Sequence, residues 1–171
     1  MWVWVSGAVV ATIVVLGVIG AMFGGTPGPA QAPYSAPAET ASSGESPQAI
    51  ILAQLQQAQA ALAQQGFQMV GQPYSGSLQQ GQSWNVPAQM ATGYEYRVIG
   101  VCDRDCNDLD LLLFDANGAP LTQDRSTSSQ PVVGVQPAYS GNYTIQVQMY
   151  NCAVAPCYYA LALYGRAMPV Q

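Results

Sequence analysis

From Phe67 onward apolar residues recur at every second position, and this period limits the fold more than any other feature of the chain. In "NYTIQVQM" (142–149), Tyr143, Ile145, Val147 and Met149 fall on one face; Thr144, Gln146 and Gln148 fall on the other. A strand places successive side chains on opposite faces, so this alternation predicts a half-buried strand. "CYYALALY" (157–164), "YEYRVIGV" (94–101) and "LDLLLFD" (109–115) predict further strands. "SWNVPAQM" (83–90) and "PVVGVQ" (131–136) are weaker candidates. Turn residues separate them: Gly76, Gly81, Gly93, "DANG" at 115–118 and "YSGN" at 139–142. Short strands at this spacing predict a mainly β domain over 67–171, an antiparallel, jelly-roll-like β-sandwich.

Three other segments precede it. "SPQAIILAQLQQAQAALAQQG" predicts one amphipathic helix over 47–66. Ser46 suits the N-cap, Pro47 the first helical position and Gly66 the position after the end. Ile51, Leu55, Ala58 and Leu62 recur at helical spacing and form one apolar stripe. The remaining positions are Gln and Ala, without the charged pairs of an ordinary solvated helix. Ile51, Leu55 and Leu62 are therefore expected to bind a partner, with docking on the chain's own domain as the alternative. Residues 26–46 are rich in Pro, Ala, Ser and Gly and read as an extended linker. Residues 2–23 carry no charge. As a helix they would span about 33 Å, enough to cross a bilayer. Segment 1–25 is therefore expected to be a transmembrane anchor, or else an uncleaved signal. "AQA" at 30–32 resembles a cleavage site, but Pro33 follows it. Gly7 and Ala11, and Gly17 and Ala21, show the spacing that lets membrane helices approach closely.

Charge narrows the function. Only 8% of the 171 residues are charged, the net charge is −5, and histidine and lysine are absent. Four scattered arginines cannot supply the basic stripe that nucleic acid requires. Without histidine the chain alone builds no Ser-His-Asp triad, no Cys-His pair and no His-ligated zinc. The expectation is that it is not an enzyme.

The stretch "VCDRDCNDLDLLLFDANG" (101–118) holds five of the nine acidic residues and two of the four cysteines. Asp103, Asp105, Asp108 and Asp110 lie close together in sequence. Calcium takes six to eight oxygen ligands, largely carboxylates and carbonyls, so these four are candidate calcium ligands. The structural alternative has Asp110 alternating outward among leucines, with Asp115 and Asn117 forming a turn. No other cofactor is expected. C-x3-C and C-x4-C lack the usual zinc spacing, and neither a C-x-x-C nor a basic neighbour marks a redox thiol. Disulfides are the remaining reading. Local pairs are expected, Cys102 with Cys106 and Cys152 with Cys157, because each pair flanks a turn short enough to bring its Cα atoms together. The strands flanking 152–157 are expected to pair as a hairpin. A crossed pairing is the rival.

Three sub-patterns carry a family likeness: Asp108-x-Asp110-Leu111, the Asp115-x-x-Gly118 turn, and Ser140-Gly141-x-Tyr143-x-x-x-Val147. Over about residues 72–166 the chain resembles the bacterial pre-peptidase C-terminal (PPC) type of domain. The resemblance implies a jelly-roll sandwich that serves as a non-catalytic appendage of secreted proteins. Some relatives bind calcium or matrix polymers. Here an apolar segment, not a peptidase, precedes the domain, and the cysteine pairs are an addition.

Together these readings give a membrane-anchored, non-catalytic accessory or scaffold subunit. It would sit by one span (residues 2–23) in a bacterial inner membrane, with its C-terminal domain in the periplasm or outside. Disulfides favour that side. Its partner would be a larger membrane complex, an energy-transducing one being an example, contacted through linker, helix and sandwich. The alternative is a surface-displayed binding module for a glycan or peptide, calcium-dependent or not, using Trp84, Tyr139, Tyr150, Tyr158 and Tyr164.

Overall fold

A computed structural model describes residues 44–169. The expected anchor and nearly all of the expected linker lie outside the described residues. Among the described residues, no helix is long and apolar enough to cross a membrane.

The described residues comprise helix α1 (Pro47–Ala63) followed by nine strands: β1 (Gln68–Met69), β2 (Tyr74–Leu78), β3 (Ser83–Met90), β4 (Tyr94–Cys102), β5 (Cys106–Phe114), β6 (Pro120–Asp124), β7 (Val132–Val135), β8 (Gly141–Cys152) and β9 (Cys157–Ala167). This described part is mainly β, with two antiparallel sheets and one helix. The first sheet runs β1-β9-β4-β7, with β2 also on β9; the second runs β3-β8-β5-β6. Their facing sides enclose the main core, built from Val98, Leu109, Leu111, Leu113, Val147, Met149 and Leu161 among others. The result is a β-sandwich-like body.

The first sheet is buried on both sides. Along β9, Cys157, Tyr159 and Leu161 face the second sheet; Ala160, Ala162 and Tyr164 face α1 together with Ile99 and Val101 of β4. A strand covered on both faces reads as a continuous apolar run rather than a clean alternation. That explains "RVIGV" and "ALALY". Ala160 and Ala162 keep the surface low where the helix lies. In the second sheet β8 alternates between a buried and a half-exposed side, whereas β5 is buried on both.

Helix α1 begins as its sequence predicts. Ser46 is extended, its Oγ accepts from the Ala49 amide at 3.2 Å, and Pro47 takes the first turn. Gln64 caps the other end, and Gly66 follows with φ 82°. The helix is thus shorter than the expected 47–66. A latch fixes its exit. The Arg166 guanidinium donates to the Gln65 carbonyl (3.0 Å) and to Glu95 Oε2 (2.7 Å), and lies 4.6 Å from the Phe67 ring centre. Arg97 pairs with the other oxygen of Glu95 at 2.7 Å.

The structure corrects three expectations. Ile51, Leu55 and Leu62 are buried against β4 and β9 of the same chain, so the apolar stripe packs on its own domain, the arrangement given above as the alternative. Gly76 is not a turn residue but the middle of β2, opposite Tyr159. Strands β8 and β9 do not pair as a hairpin; they belong to different sheets, and residues 153–156 cross between them.

Candidate functional site

The cysteine-rich corner comes first, because the opening acidic stretch builds it. Both local disulfides form, Cys102–Cys106 and Cys152–Cys157, each with Cα atoms 5.9 Å apart. Cys102 ends β4 in the first sheet and Cys106 begins β5 in the second. Cys152 ends β8 in the second and Cys157 begins β9 in the first. Cys106 and Cys152 are themselves opposite each other across β5 and β8. The two bridges therefore stand side by side at one pole and join the two sheets.

The four candidate calcium ligands part company around this corner. Asp103 is buried; its amide donates to the Tyr158 carbonyl (3.0 Å), and its Oδ2 accepts from the Tyr158 amide (2.9 Å). Its other oxygen has no partner. Asp105 is exposed, and its backbone carbonyl accepts from the Ala153 amide at 2.7 Å. Asp108 and Asp110 lie along β5 on the side away from Leu109 and Leu111. Both are buried, and Asp108 Oδ1 is also unpartnered. Burial first, and then the neighbouring Asp108 carboxylate, hold the Asp110 pKa above its ordinary value, while Arg125 pulls the other way. Among the described residues, no three His, Cys, Asp or Glu side chains come together as a metal-holding group.

The turn that follows is tightly tied. Asp115 Oδ1 accepts from the amides of Ala119 (2.8 Å) and Asn117 (2.9 Å), and Oδ2 accepts from the Tyr139 hydroxyl (2.8 Å). Those bonds depress the Asp115 pKa, the Ala119 amide most and the Tyr139 hydroxyl next. The Tyr143 hydroxyl in turn donates to the Tyr139 carbonyl at 2.7 Å. This chain of bonds binds the β5–β6 turn to the start of β8, as tyrosine corners do in other sandwiches.

The apolar concavity lies elsewhere, between the first half of α1 and the β2–β9 side of the first sheet. It holds about 450 Å³ and is lined by Ile51, Leu52 and Leu55 on the helix, Pro73 and Gly76 beneath the open edge, and Tyr158, Tyr159 and Ala160 on β9. Gln48 and Ser75 supply its polar atoms. A β2 residue as small as Gly76 leaves room for Tyr159; burial and the adjacent Tyr74 hydroxyl raise the Tyr159 pKa, so its phenol stays neutral. Leu52 stands at the rim with 57% of its surface exposed. The rest of the outward side of α1 is Gln and Ala. The periodicity picked out the buried stripe; Leu52, one position off it, carries the exposed apolar surface.

The five aromatic residues proposed as one platform do not share a face. Tyr164 is fully buried beneath α1 with its hydroxyl unpartnered, and Tyr158 lies on the same covered side. Trp84, Tyr139 and Tyr150 are exposed at separate places.

No protein-family model and no curated protein matches this chain.

Proposed function

We propose that the chain is a non-catalytic accessory subunit of the exported face, tethered by residues 2–23, whose α1 groove docks it onto a larger membrane complex. One observation carries this reading. A helix without a single charged residue spends one side on its own sheet and leaves Leu52 exposed beside a 450 Å³ apolar groove. An ordinary solvated helix covers such a side with charged pairs. An exposed leucine beside an open apolar groove is the kind of feature that interaction sites present. The two inter-sheet disulfides support residence outside the reducing cytoplasm. The PPC-type jelly roll remains the finer fold proposal. It is supported by the way its sub-patterns meet: Asp108 and Asp110 on β5, the Asp115–Gly118 turn, and Tyr143 on the adjacent β8.

Gentle solubilisation followed by native sizing tests the docking. The parent chain should run in a large stoichiometric particle, and Leu52→Lys should release it as a free, disulfide-bonded chain. A parent chain that runs free in every mild detergent would sink the proposal.

A further inference from the structure

The first sheet ends on β2, and that edge is unguarded. Strand β9 lies between β4 and β2, antiparallel to both, so its residues turn their backbone groups alternately to one neighbour and the other. Tyr158 turns to the β4 side: its amide donates to Asp103 Oδ2, and its carbonyl accepts from the Asp103 amide. The Leu163 carbonyl turns the other way and accepts from the Val70 amide. Cys157, Tyr159 and Leu161 alternate with Tyr158 as Leu163 does, so they bond to their opposites on β2: Leu78, Gly76 and Tyr74. Ser75 and Ser77 lie between these and turn their N–H and C=O groups away from β9. Both residues are exposed, and among the described residues no strand pairs with that side of β2. The other outer strands are protected. β1 is two residues long, β3 carries Pro87, β6 carries Pro120 and Asp124, and the Val132 amide of β7 donates to Asp124 Oδ2 at 3.0 Å. Short length, proline and charge are the usual guards of a sheet edge. β2 has neither proline nor charge, and its register with β9 is unbroken from Tyr74 to Leu78.

The apolar groove opens on this same edge. Ser75 and Ser77 stand opposite Ala160 and Tyr158, which face α1, so their side chains also point to the helix side. A strand added beyond β2 would run about 4.8 Å from it, with every second side chain on the helix side, beside Ile51, Leu52 and Leu55. No residue lining the groove is charged. We infer, resting on the groove docking proposed above, that the partner protein supplies an extended, uncharged peptide segment. It adds to β2 as a further strand of the first sheet and places apolar side chains at alternate positions in the α1 groove. The outward N–H and C=O groups of Ser75 and Ser77 give main-chain bonds, and the groove selects among side chains. A helix laid in the groove would cover those four backbone groups without bonding them, at the cost of an unmade hydrogen bond for each. A charged segment would lose water beside Leu52 and meet no counter-charge.

Ser75→Pro and Ser77→Pro, each made in the full chain and sized natively from gently solubilised membranes, test the strand. Proline removes one outward N–H and leaves the ladder with β9 whole. Each variant should move from the large particle to the free position, as Leu52→Lys does, and keep both disulfides and the parent near-ultraviolet circular dichroism. Ser75→Ala and Ser77→Ala retain the N–H and should stay in the particle. In the parent particle the Ser75 and Ser77 amides should exchange with deuterium at least about tenfold more slowly than in the released Leu52→Lys chain. Should a proline variant fail to fold, this exchange measurement decides. The strand is overturned, with the docking intact, if Leu52→Lys is released while folded proline variants stay bound, if the alanine variants are released as well, or if the two amides exchange equally fast in both chains. A parent chain that runs free, or a Leu52→Lys chain that stays bound, overturns docking and strand together. A particle made only of copies of this chain overturns the partner segment and gives the β2 edge to a second copy.

Discussion

Gly76 and Tyr159 stand directly opposite each other on β2 and β9, and the tyrosine ring fills the space that a side chain at 76 would need. A Cβ at 76 would lie 3.0 Å from the Tyr159 hydroxyl and 3.2 Å from two ring carbons. The ring is buried in the main core and cannot swing away. Gly76→Ala should therefore cost about 1–3 kcal/mol, the usual result of overpacking. Urea denaturation checks it; an unchanged midpoint would show that the ring yields.

Leu55 and Leu52 are three positions apart on α1 and should behave oppositely. Leu55 is buried against the first sheet. Leu55→Ala should cost about 2–5 kcal/mol through lost burial and an unfilled cavity. Leu52→Lys should stay within about 0.5 kcal/mol of the parent, as exposed substitutions do. Thermal melts of both variants separate a packing role from a docking role.

Each disulfide closes a very short loop, with sequence separations of 4 and 5. Loop-closure entropy then predicts about 2 kcal/mol of stabilisation per bridge. Replacing both members of a pair by alanine should lower stability by roughly that amount. Non-reducing peptide mapping should yield 102–106 and 152–157 fragments and no crossed ones.

Asp110 makes stability depend on pH in an unusual direction. Its folded pKa lies above the ordinary 3.8, because of burial first and Asp108 second. The folded chain therefore holds this proton more tightly than the unfolded chain does. Stability falls as pH rises from 3.8 through the folded pKa, above which the penalty is complete. Asp110→Asn removes it. The variant should melt higher than the parent at neutral pH, and the gap should close below pH 3.8. A variant that melts lower at neutral pH would mean that the carboxylate makes a contact worth more than its burial costs.

The sequence was most legible where one side of a strand meets water. β8 reads correctly because Tyr143, Ile145 and Val147 go inward while Thr144 and Gln146 go outward. The weaker "SWNVPAQM" also forms its strand over the expected bounds. β2 was lost because "YSGSL" is a polar edge strand whose glycine serves Tyr159 rather than a turn. The helix stripe was read correctly, but periodicity shows only that a side is buried, not what covers it. Ala160 and Ala162, which receive Leu55 and its neighbours, lie about a hundred residues further on. The cysteine pairs followed from turn length. Their inter-sheet role did not, since a four-residue loop serves a hairpin or a sheet crossing equally well. The outward glutamines of β8 were visible by alternation, but their cross-strand neighbours Asn85 and Gln89 follow only from register.

Both disulfides between the sheets sit at one pole. The other pole closes without sulfur: residues 91–93 carry the chain from β3 of the second sheet directly into β4 of the first, and the Ala91 amide donates to the Tyr96 hydroxyl at 3.0 Å. Reduction therefore loosens one end of the sandwich and leaves the other shut.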